Sequence, residues 1–105
     1  MNTQSVNQLR HIRNQINDLS VNDAEARQLE KLFHRTIYLL NGMENIEHDF
    51  FENRKKVALK GFEGELSEYL EEYWEQKEKV EKINRFSQAR HQAHHLLGTV
   101  LSTFN

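Results

Sequence analysis

The sequence predicts an all-α fold, an antiparallel helical hairpin or bundle with one long C-terminal helix and a shorter connecting helix. Three observations carry this. From Glu65 to Leu101 the chain has no Pro and one Gly, Gly98, and consists mostly of the strong helix formers Glu, Lys, Leu, Gln, Ala and Arg. The whole chain has no Pro and four Gly, with 29% charged and 37% hydrophobic residues, too few turn residues for a sheet protein. Its apolar residues recur at steps of three and four. A helix of about 37 residues would run roughly 55 Å, and its apolar stripe needs cover. The N-terminal half is therefore expected to fold back along it. The 105 residues suffice for one domain, 1–105, with one modest core and helices near 4–41, 44–58 and 65–102.

In residues 1–19, Leu9, Ile12, Ile16 and Leu19 form a helical stripe among polar neighbours. At the next segment two readings compete. Asn22 with Glu25 three residues later matches a capping box, which would start a new helix. Against this, Ile12, Leu19, Ala26, Phe33 and Leu40 keep one heptad phase, which favours a single coiled-coil-like helix kinked near 20–23. The second heptad column, Leu9, Ile16, Asp23, Glu30 and Ile37, is polar in its middle.

Gly42 follows the apolar cluster Ile37-Tyr38-Leu39-Leu40 and predicts a helix stop. Beyond it Met43, Ile46, Phe50, Val57 and Phe62 suggest the stripe of a shorter helix over about 44–58, with Phe51 and Leu59 beside it. Its basic cluster Arg54-Lys55-Lys56, with Lys60, suits a helix C-terminus. Gly61 and Gly64 predict a chain reversal.

The long helix then carries Leu66, Tyr69, Leu70, Tyr73, Val80, Ile83, Phe86, Ala89, Ala93, Leu96, Leu97, Val100 and Phe104 on its stripe. Its other face is acidic, from Glu65 through Glu68, Glu71, Glu72, Glu75 and Glu78 to Glu81. Glu75–Lys79, Glu78–Lys82 and Glu81–Arg85 are spaced as i,i+4 pairs. After Arg90 only His can carry side-chain charge, and this apolar tail reads as a partner surface or a buried end.

Chemistry-bearing motifs are sparse. A net charge of −2 gives no support to nucleic-acid binding. The absence of Cys excludes disulfides and thiolate sites. No run approaches the ~20 apolar residues of a membrane span, and the polar N-terminus lacks the apolar core of a signal peptide. His91 and His95 share a helix face and are the candidate metal pair, with His94 between them and His11, His34 or His48 as distant third ligands. No His has Glu or Asp three residues before it, so the di-iron Glu-x-x-His pattern is absent. The many Glu read as a solvated helix face, and no nucleophile elbow or phosphate loop is present. The expectation is a protein without enzymatic activity or cofactor. The aromatic group Phe62, Tyr69, Tyr73 and Trp74 reads either as a plug at the end of the hairpin or as an interaction surface, and the tail residues Leu97, Val100, Leu101 and Phe104 are the other interaction candidates.

In length, lack of Cys and helical layout around Phe62-Glu63-Gly64, the chain resembles the small helical-hairpin proteins of type VII secretion, the Trp-x-Gly family and the partner proteins of LXG toxins. The match covers the whole chain in shape, but its motif is only this aromatic-x-Gly. The Trp stands at 74, and the family's tail signal, Tyr followed four residues later by Asp or Glu, is missing: Tyr69 leads to Tyr73, and Tyr73 to Lys77. The lack of a signal peptide leads to the expectation of a cytoplasmic protein, and the resemblance implies a secretion accessory or toxin partner that is co-exported with a larger protein. The residues themselves suggest an adaptor that binds a protein or a second copy of itself. The alternatives are an immunity or antitoxin protein whose face from Glu65 to Glu81 meets a basic toxin, and a metal-binding helical protein using His91 and His95.

Overall fold

A computed structural model describes residues 3–104, and over these the chain is all-α, with a long C-terminal helix. Five helices follow in order: α1 (Thr3–Asp18), α2 (Asp23–Asn41), α3 (Phe51–Glu63), α4 (Glu65–Glu75) and α5 (Lys79–Leu101), with a closing 3-10 turn over Ser102–Phe104. Together they form four antiparallel arms, because α3 and α4 continue in one direction as a single arm. Tyr73 lies against Phe86, Glu72 against Arg85 and Arg54 against Thr99 and Ser102. Residue numbers thus rise along α3–α4 as they fall along α5. The same inverse pairing joins α1 to α2 through Gln8 and Arg35, α2 to α3–α4 through Phe33 with Phe62 and Asp23 with Tyr73, and α1 to α5 through Arg13 and His94. The result is an up-down-up-down bundle measuring 47 × 21 × 18 Å.

Each arm buries the side chains its periodicity selects. From α1 these are Val6, Leu9, Ile12 and Ile16, and from α2 Ala26, Leu29, Leu32, Phe33, Leu39 and Leu40. Phe51, Ala58, Phe62, Leu66, Leu70 and Tyr73 enter from the third arm, and Phe86, Ala89, Ala93, Leu97, Val100 and Leu101 from α5. Edge-on ring contacts, Phe33–Phe62 and Phe51–Phe104 each at 5.3 Å, lock arms together. The one buried side-chain hydroxyl of α2, Thr36, donates to Leu32 O at 2.8 Å and so leaves no unmet polar group.

The single helix over 4–41 gives way to two. Asn22 sits in extended backbone (φ −157°, ψ 170°), and its side-chain oxygen accepts the Glu25 N–H at 2.8 Å. The Asn22 cap therefore prevails over the heptad, though without the reciprocal Glu25 side-chain bond, and the outgoing end of α1 is closed by Arg90, which donates to Leu19 O at 2.7 Å.

The expected helix over 65–102 is also two. Gln76 (ψ 138°) and Glu78 (ψ 135°) are extended, and the chain reverses there. From Glu75 to Lys79 there is no apolar side chain, so a continuous helix would bury nothing at this point. Breaking it forfeits a few tenths of a kcal/mol per residue of helix propensity. Folding back buries Leu66, Leu70 and Tyr73 against α5, at about 1.5–3 kcal/mol for each fully buried large apolar side chain. The i,i+4 pairs that spanned the break are lost. Glu81–Arg85 remains at 3.7 Å, Arg85 also meets Glu72 at 2.8 Å, and Lys82 turns to Asp23 at 3.3 Å.

The predicted reversal at Gly61 and Gly64 does not occur. Gly61 is inside α3, where it lets Leu96 of α5 pack onto the backbone, and Gly64 is only the joint between α3 and α4. The helix expected over 44–58 starts instead at Phe51 and ends at Glu63, and the segment 42–50 is a loop.

Candidate functional site

The largest departure from the expected apolar pattern lies in this loop. A helical register through Met43, Ile46, Phe50 and Val57 would have made one buried stripe. Because the helix begins only at Phe51, its inward face is Phe51, Ala58 and Phe62, spaced i, i+7 and i+11. Met43 stays buried, but Ile46 is 94% exposed, Phe50 63% and Val57 53%. Three of the molecule's exposed large apolar side chains thus sit on one loop and the outer face of the helix that follows it.

The loop is fastened along its length. Gly42 N–H meets Leu39 O and Leu40 O, ending α2. Lys55 Nζ donates to Met43 O at 3.0 Å, and Asn45 Nδ2 to Thr103 O at 3.0 Å, tying the loop to α3 and to the end of the chain's last turn. Within the loop His48 N bonds Asn45 O (3.3 Å), Phe51 N bonds His48 O (3.2 Å) and Phe50 N bonds the His48 ring at Nδ1 (3.3 Å). Arg54 lies 5.9 Å above the Phe50 ring, with its guanidinium anchored to Thr99 O and Ser102 Oγ. Between Arg35 and Arg54 the sequence has no Lys or Arg but four carboxylates, Glu44, Glu47, Asp49 and Glu52. The surface is therefore a fastened apolar projection whose loop carries acidic side chains, with Arg54 and Lys55 on its α3 side.

The interaction residues expected from the sequence are mostly elsewhere. Phe62, Tyr73, Leu97, Val100 and Leu101 are core side chains and offer no surface, which corrects their reading as interaction residues. Tyr69, Trp74 and Phe104 are half-buried against that core. Tyr69 donates to Glu65 at 2.7 Å, which raises its pKa, and Arg27 and Lys82 cover the Trp74 ring at 4.9 and 5.7 Å. The apolar tail of α5 is the buried end of the two expected alternatives. The stripe residues Val80 and Ile83 are exposed (65% and 37%), since α1 ends opposite Arg90 and leaves the start of α5 uncovered on that side.

The structure keeps His91 and His95 together on α5 and places the expected third ligands elsewhere. His91 and His95 are exposed on α5, whereas His94 turns to Arg13. His11 lines an open groove of about 810 Å³ between α1 and α2, His34 lies between α2 and α4, and His48 is in the loop. Among the described residues no three His, Asp or Glu side chains converge as a metal cage. No helix of the described residues is long and apolar enough to cross a membrane.

The fold defines a class, a small antiparallel helical bundle. The chain matches no family model, no curated protein and no solved structure.

Proposed function

We propose that this protein is a non-enzymatic binding module that docks on a protein partner through loop 42–50 and the start of α3. One observation carries the reading: Ile46, 94% exposed, is presented on a loop fastened at both sides. An exposed apolar side chain on a mobile loop would lose its ordering entropy on binding. A pre-ordered one retains most of its burial energy as affinity. The complementary partner has an apolar recess for Ile46 and Phe50 with basic groups around it, facing Glu47 and Asp49. A secretion accessory or toxin partner, as the type VII resemblance implies, is one setting for such a module.

The test uses the tagged chain to capture and identify a partner, then calorimetry with the purified pair. Ile46→Asp with Phe50→Ser is expected to weaken binding by at least about 2 kcal/mol, the range of interface hot spots. Undiminished affinity, with the fold intact by circular dichroism, would refute the loop as the docking surface.

A second reading rests on α4, which carries Glu65, Glu68, Glu71, Glu72 and Glu75 and no basic residue. Glu72 has its ion pair with Arg85, while Glu68, Glu71 and Glu75 meet no basic side chain among the described residues. A toxin-neutralising protein would use this face against a basic surface. Glu71→Lys with Glu75→Lys would then abolish binding while the loop variants bind normally.

A further inference from the structure

A second surface, remote from α4, has the opposite charge. After Arg90, α5 contributes no Lys, Arg, Asp or Glu, yet two guanidinium groups from other arms converge on it. Arg13 of α1 comes from one side. Its Nε lies 3.4 Å from His94 Nδ1, its Nη2 lies 3.2 Å from His94 Nε2, and it passes over Gly98, where a Cβ would stand 3.6 Å from Nη2. Arg54 of α3 comes from the other side, donating from Nη1 to Ser102 Oγ at 2.7 Å and to Thr99 O at 3.3 Å. Their contacts thus fall on neighbouring residues, Gly98 and Thr99.

Between them runs an open groove of about 550 Å³, lined also by His94 and His95 and by the apolar Val57 and Leu96. Among the described residues no carboxylate lines it, and neither guanidinium has an acidic partner. This is unusual for a chain of net charge −2, because half-buried cations raise one another's free energy unless an anion is near. His94 shows the effect. Its pKa is lowered first by burial, then by Arg13, and further by His91 and His95.

We propose that this groove binds the phosphate group of a small organic phosphate, with Arg13 and Arg54 as its clamps and Val57 and Leu96 against the organic part. Two planar forks from opposite sides suit a group with several oxygens and more than one negative charge. A carboxylate offers only two oxygens and one charge, against the three free oxygens and the nearly doubled charge of a phosphate monoester. The groove's size falls within the ~300–1,000 Å³ of small-molecule sites. Ser102 and Thr99 already donate to Thr99 O and Leu96 O, so they position Arg54 and do not serve as donors to the ligand.

Phenyl phosphate is the probe, added to the protein without a histidine tag at neutral pH and constant ionic strength. The readout is the proton spectrum of the histidine rings, assigned by His→Gln variants. The expected result is saturable movement of the His94 and His95 resonances while those of His11 and His48 stay fixed, with acetate at least about tenfold weaker. Val57 is exposed, so Val57→Glu should leave the fold intact and place a carboxylate in the groove, weakening phenyl phosphate about tenfold or more. Ring resonances that do not move, or that all move together, would overturn the proposal. So would acetate binding as tightly as the phosphate, or full affinity in a folded Val57→Glu protein.

Discussion

Tyr73 ties three helices at one end of the bundle. Its ring is in the core beside Phe86, and its hydroxyl donates to Asp23 at the start of α2, 2.8 Å away. Lys82 of α5 reaches the same carboxylate oxygen at 3.3 Å and lies over the Tyr73 ring at 4.9 Å. Burial first, and the Asp23 carboxylate second, push the Tyr73 phenol up to about 12. Below pH 10 the phenol is neutral in the folded and unfolded chains alike, and its contribution is complete. Between pH 10 and about 12 only the unfolded chain ionises, so stability falls across that interval, by roughly 3 kcal/mol in total. Tyr73→Phe should cost about 1 kcal/mol at neutral pH, the net worth of a hydrogen bond, and should flatten this alkaline loss. Urea unfolding at pH 7 and pH 11 checks both, and an unchanged alkaline loss in the variant would assign it to another group. Asp23 responds at the acid end. Its pKa is lowered by the Tyr73 hydrogen bond foremost and by Lys82, so its contribution is present above the ordinary carboxylate range and lost as pH falls through the folded value. Asp23→Asn should remove that acid dependence.

The helix ends divide into those the sequence announces and those it does not. Asn22 and Glu25 were legible because a cap is local chemistry, a side-chain oxygen three residues from an orphan N–H. Asn22→Ala should cost about 1 kcal/mol and Asn22→Gly only a few tenths, measured by urea midpoints at equal slope. The turn at 76–78 was not legible, because Gln76, Lys77 and Glu78 are ordinary helix residues and the break is driven by burial on either side. The two glycines of the third arm were read as a reversal because composition alone does not separate a turn from a joint or a close helix contact. Their backbones now separate them by experiment. A Cβ at Gly61 would stand 2.5 Å from Leu96 Cδ1, the movable end of a half-buried side chain. One at Gly64 would stand 2.9 Å from Lys60 O, which is backbone. Gly61→Ala trades a rotamer shift of about 1 kcal/mol for a similar gain in helix propensity, and its thermal midpoint should stay near wild type. Gly64→Ala should destabilise by about 1–3 kcal/mol, since the carbonyl has to move and open the α3–α4 joint. Equal effects at the two positions would contradict this account of the joint.

Across the whole molecule, each arm is antiparallel to the neighbours it packs on, and α1 and α5 complete the ring. All-α composition and the stripes of α1, α2 and α5 were readable in the sequence, whereas the number of arms was not, since it depends on where helices stop. The same misplaced boundary hid the candidate site. Ile46, Phe50 and Val57 have the spacing of a core stripe, and only the delayed start of α3 turns them outward. The ring arrangement makes a testable claim about connectivity. Thr3 and Phe104 line one small hollow with Val6, so the described ends of α1 and of the closing turn are neighbours. A short Gly/Ser linker should join Thr3 to Phe104, and new ends opened between Lys77 and Glu78 would leave α4 and α5 held only by packing. Each arm would keep every neighbour it has now, and the α1–α5 contact would become local instead of distant in sequence. Loop-closure entropy changes slowly with length, at about 0.6 kcal/mol per doubling, so the permutant should keep its helical circular dichroism and a single cooperative melt. Its folding should be no faster than wild type and is expected to be slower, because the extensive α4–α5 and α3–α5 contacts become distant in sequence while only α1–α5 becomes local. A permutant that melts in two steps would show that the four arms are not one cooperative core.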